Sequence, residues 1–117
     1  MVMIGRRVMG RARLDIMIEF ATGELASGDT ARVSRLVRIL AAQHPDEKAL
    51  TLCFALTSAA SALEDVVQDH KTVSLAYKLA ALVAADTLAV EALGRAPARA
   101  VDLLHFWRRV DPWFLTL

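Results

Sequence analysis

Cysteine, proline and glycine are all scarce in this chain, and each shortage removes a class of structure. The single cysteine, Cys53, forms no internal disulfide, so no cross-linked scaffold holds the fold and a reducing, cytoplasmic setting suits it. Three prolines and five glycines among 117 residues leave long stretches without punctuation, and no strand pattern competes with the helical periodicity in them. Membrane-spanning runs are missing as well. The longest uncharged run, "ALTLCFALTSAASAL" at 49–63, has 15 residues, whereas a span takes about 20 largely apolar ones. Thr51, Thr57, Ser58 and Ser61 interrupt that run, which reads as a buried helix. The opening "MVMIGRRVMGRAR" is basic but has neither the apolar core nor the small-residue cleavage site of a secretory signal. Charge of one sign is lacking too: the formal net charge is +1, which neither attracts nor excludes nucleic acid.

What is abundant is apolar side chain, 56% of the residues against about 45–50% in ordinary globular proteins. The excess implies surface hidden against another chain, a ligand or a membrane. Arginine outnumbers lysine eleven to three beside much Ala, Leu and Val, a composition typical of GC-rich bacterial genomes.

At this length the chain is one domain, 1–117, able to bury a core without staples. A basic arm (1–10) precedes it and an aromatic tail (111–117) closes it. Four breaks, "SGDT" (27–30), "HPDE" (44–47), "QDHKT" (68–72) and "GRAP" (94–97), divide it into helices over about 11–26, 30–43, 46–68, 72–94 and 97–110. Asp29 and Asp46 are placed to cap the second and third helices, Gly94 to end the fourth, and Pro97 to sit in the first turn of the fifth. The predicted fold is all-α: a bundle of four to five helices with the third and fourth as a long central antiparallel hairpin.

The helical faces sharpen this. Val33, Leu36, Val37 and Leu40 follow the i, i+3, i+4, i+7 pattern, opposite Arg32, Arg35 and Arg38. The third helix carries an unbroken stripe of Leu52, Leu56, Ala59, Leu63 and Val66. The fourth carries two: Leu75, Leu79, Leu82, Asp86, Val90 and Leu93, and, half a turn away, Val73, Tyr77, Ala81, Ala84 and Leu88. A helix apolar on both sides is covered on both sides, so the fourth is either the central element of the bundle or has one side at an interface. The fifth turns Ala100, Leu103, Leu104 and Trp107 inward.

Asp86, on the more hydrophobic stripe, is the first candidate site. An unpaired buried carboxylate costs several kcal/mol, so it needs a partner, expected to be a hydroxyl, a helix amide or an arginine. His70 is excluded by reach, because it lies about 20 Å away along the hairpin at 1.5 Å per residue. Arg32, Arg35 and Arg38, together with Arg6, Arg7, Arg11 and Arg13, form a candidate anion or nucleic-acid patch. The helix–"ASGD"–helix arrangement adds a helix-turn-helix reading. Against that reading, the second helix has no Asn or Lys to read bases, and its arginines can pair with Glu19 or Glu24. Asp102 and His105 echo one half of a carboxylate-bridged metal site, but the second half is missing. Cys53 reads as a small buried hydrophobe, and no cofactor or catalytic motif is present. Val73, Tyr77, Leu88, Trp113 and Phe114 are the candidate partner surface, although the first reading of Trp113 and Phe114 is a clasp folding back over the bundle. These features predict a non-enzymatic interaction module that forms a homodimer. The alternatives are a small regulator touching nucleic-acid phosphates through its arginines and a small-molecule binder around Asp86.

Overall fold

The computed structural model describes the backbone of residues 2–117 and the side chains from residue 13 onward. Five helices follow one another: α1 (Val2–Ala26), α2 (Thr30–Gln43), α3 (Ala49–Glu64), α4 (Lys71–Ala92) and α5 (Ala100–Arg109), with a closing 3₁₀ turn at Trp113–Leu115. The fold is all-α, and α3 and α4 make the most extensive contact in the chain, as an antiparallel hairpin. α1 lies along the other side of α3, while α2 packs on α4 and α5. The Cα atoms extend only 19 Å in the thinnest direction, the depth of two helix layers spaced by about 8–10 Å. Between the layers lie Met17, Leu25, Leu36, Leu40, Leu52, Leu56, Leu79, Leu103, Trp107 and Phe114, all buried.

Two of the expected caps form. Asp29 accepts from the backbone N–H groups of Ala31 (2.9 Å) and Arg32 (3.3 Å), satisfying donors that the first turn of α2 leaves unpaired. Gly94 follows α4 with φ +99°, a conformation that costs glycine nothing. Thr72, buried at the start of α4, donates to the Leu25 carbonyl at 2.8 Å, which ties the first turn of α4 to the last turn of α1.

The other boundaries differ from the sequence reading. α3 starts at Ala49 rather than near 46, and Asp46 does not cap it. Residues 45–47 instead form a turn, and Lys48 is extended against the loop before α5. Ala49 N–H donates to the Ala98 carbonyl (2.9 Å), Ala100 N–H to that of Glu47 (2.8 Å) and Val101 N–H to that of Pro45 (2.9 Å). Lys48 and Arg99 thereby form one antiparallel bridge pair. Pro97 lies ahead of α5, whose first turn is capped by Asp102 reaching back to the Arg99 N–H at 2.9 Å. The backbone of the expected arm continues α1 from Val2, since nothing in 2–10 is a proline.

The buried face of α4 is also rotated from both predicted stripes and lies between them. It consists of Thr72, Val73, Ala76, Leu79, Ala80, Val83, Thr87 and Val90. Leu93 is 71% exposed and Leu88 69%, while Asp86 and Leu82 sit half-buried on the flank. α4 is long and apolar enough to cross a membrane by length and composition; here it is the central helix, in contact with all four others.

Candidate functional site

Asp86 has a partner, and it is none of those expected. Asp86 Oδ2 accepts a hydrogen bond from the indole Nε1–H of Trp107 at 2.9 Å. Trp107 is fully buried, and its single donor has to find an acceptor once it leaves water. The bond therefore joins α4 to α5 at the floor of the second layer. Burial pushes the Asp86 carboxyl above its ordinary value; the Trp107 bond opposes that shift, and the negative charge of Asp111 adds to it.

Asp111 belongs to the tail. After α5 ends, its carboxylate accepts from the Trp113 backbone N–H (3.2 Å), and the chain turns over Trp107. Phe114 is 2% exposed and stacks at a tilt on Trp107, with ring centroids 4.8 Å apart. Trp113 meets Phe114 edge-on at 5.1 Å, and Arg38 reaches the Leu115 carbonyl at 3.5 Å. The tail is thus a clasp over the bundle. Lys78, Leu82 and Asp86, at i, i+4 and i+8 on α4, form one wall of a hollow of about 300 Å³; Asp111, Trp113 and Phe114 form the other.

The arginines do not form a free row. The Arg32 guanidinium makes a two-point ion pair with Glu24 (Nε–Oε2 3.0 Å, Nη2–Oε1 2.9 Å), and this pairing holds its pKa up. Arg35 bonds back to the Ala31 carbonyl at 3.2 Å, and Arg38 serves the tail. Arg13 faces Glu47 at 3.7 Å. The side chains of Arg6, Arg7 and Arg11 lie outside the described residues.

The partner-surface candidates divide. Val73 (3% exposed) and Phe114 sit in the chain's own core, with no area left to offer, whereas Tyr77, Leu88 and Trp113 face solvent. Tyr77 donates its hydroxyl to Glu64 Oε2 at 2.8 Å across the hairpin. Leu50 and Phe54, which the sequence reading passed over, are exposed on α3. They are one helical turn apart, opposite the Leu52–Leu56–Ala59 stripe, and that i, i+4 spacing was the available signal.

The remaining candidates hold local contacts. The Cys53 thiol donates to the Ala80 carbonyl at 3.4 Å, and burial pushes its pKa up to about 11; a thiol so rarely ionised is a poor nucleophile. His70 bonds the Val67 carbonyl at 2.8 Å. Asp102 is occupied as the α5 cap, and among the described residues no three His, Cys, Asp or Glu side chains gather as a metal site. Compared with known protein families, curated proteins and solved structures, the chain matches none.

Proposed function

We propose that this chain is a non-enzymatic helical interaction module that pairs with a second copy of itself through the outer face of the α3–α4 hairpin. One observation carries the reading: this face exposes large apolar side chains around a centre of small, uncharged residues. Leu50 and Phe54 project from α3, and Tyr77 and Leu88 from α4, all exposed. Thr57, Ser58, Ser61, Ala81 and Ala84 lie between them and allow a neighbouring backbone to come close. Scattered exposed hydrophobes are ordinary, but a contiguous apolar patch marks an interaction surface. A standard interface takes about 800 Å² from each partner. The outer face of two adjacent helices, ~24 Å long and ~20 Å across, is of that order. With no charge at its centre the face suits its own copy, and two hairpins meeting about a twofold axis make an isologous four-helix contact. Arg32 is taken up by ion pairing with Glu24 and Asp102 by capping, and a free Cys53 thiol fits a reducing cytoplasmic compartment.

Phe54→Asp and Leu88→Asp test the face. Both side chains are exposed in the single chain, so each substitution is expected to cost its fold only about 0.5 kcal/mol. Buried unpaired at a twofold contact, two carboxylates per dimer oppose association. The expected outcome is a native circular dichroism spectrum with the mass of one chain. Variants that retain the parent's dimeric mass would put the contact elsewhere.

A further inference from the structure

We propose that the hollow between α4 and the C-terminal tail is a binding site for a small organic cation, an amine or quaternary ammonium carried on a short apolar body. The site lies on the flank of α4 that bears Lys78, Leu82 and Asp86, away from Tyr77, Ala81 and Leu88, so it stands or falls independently of pairing.

Four features of the hollow converge on this ligand class. One wall carries a carboxylate with one committed oxygen: Asp86 Oδ2 holds the Trp107 indole, and Oδ1 makes no hydrogen bond among the described residues. A second carboxylate, Asp111, stands on the opposite wall. Neither carboxylate has a cation within ion-pair distance among the described residues, and Lys78 is the only basic side chain in the lining. The Asp111 charge adds to the cost of ionising the half-buried Asp86, and a cation between the two carboxylates offsets that cost.

The remaining walls are apolar and aromatic. Leu82 and Phe114 supply a surface for a hydrocarbon body, and the half-exposed Trp113 indole supplies a π face, the environment in which ammonium groups are bound. At about 300 Å³ the hollow is at the small end of ligand sites, with room for one ring and a short chain. An inorganic cation would not use the aromatic wall, and an anion would meet two carboxylates.

The chain's only two tryptophans, Trp107 and Trp113, both border this site, so tryptophan emission reports on it directly. Three probes with the same ring separate charge from hydrophobicity: phenethylamine (cation), 2-phenylethanol (neutral) and phenylacetate (anion). The expected result is a saturable emission change with phenethylamine, at roughly tenfold lower concentration than with the alcohol, and none with phenylacetate. Asp86→Asn, which keeps an acceptor for Trp107, should abolish the preference for the amine over the alcohol. Asp111→Asn, which leaves the Trp107 bond untouched, should weaken it severalfold, and this variant decides the matter should Asp86→Asn fail to fold. The proposal is overturned by no saturable response to phenethylamine, by an equal response to the alcohol, or by an undiminished preference in both Asn variants.

Discussion

Asp86 and Trp107 show how much one polar atom pair can organise. Trp107 is fully buried, so losing its acceptor leaves an indole N–H unsatisfied in the core. Asp86→Ala is expected to cost about 1–3 kcal/mol for that reason. Asp86→Asn, which still accepts the bond, should stay within about 0.5 kcal/mol of the parent at neutral pH. Equal stability of the Ala and Asn variants in urea would show that the bond contributes nothing. The same carboxylate sets a pH dependence. Its pKa is raised in the folded chain, chiefly by burial, so the folded state binds the proton more readily than the unfolded one. The stability it contributes is full below the ordinary aspartate value and is lost as pH rises through the raised one. Denaturation across that range should show the parent losing stability relative to Asp86→Asn as pH increases; a constant difference would contradict the assignment. Asp86 was legible in the sequence as a polar residue near an apolar face. Its partner was not, because Trp107 lies 21 residues away and an indole N–H is a less common partner for a carboxylate than a hydroxyl or an arginine. Asking which acceptor serves a buried indole would have narrowed it.

At the scale of elements, local signals were readable and cross-chain ones were not. Asp29 and Gly94 act within a few residues of themselves, so propensity and spacing were enough to place them. The start of α3 depends on hydrogen bonds between residues 45–49 and 98–101, about fifty positions apart, which no local pattern encodes. The rotation of α4 has a similar origin. Its apolar residues run nearly all the way round, so periodicity gave two stripes, and contacts with four other helices selected the surface between them. The tail is the element whose role is most open to direct measurement. Phe114 is buried against Trp107, and Phe114→Ala removes that packing and opens a cavity, at an expected cost of about 3–5 kcal/mol. A loss under about 1 kcal/mol would mean that the tail rests on the bundle without securing it.

At the scale of the whole molecule, the all-α fold and its central hairpin were legible because five segments of helical periodicity and four breaks permit little else. The surplus of apolar residues was also visible in composition, but not its location. Leu50 and Phe54 sit within a run that reads as one buried helix, outside its Leu52–Leu56–Ala59 stripe. Only the packing of α1 and α4 on either side of α3 shows which residues of that run are left over. Those leftover side chains are the basis for self-association, and the mass of the unmodified chain in solution addresses it most directly. Light scattering or sedimentation at micromolar concentration is expected to give twice the 12.8 kDa of one chain. A monodisperse species of 12.8 kDa at that concentration would contradict the proposed function.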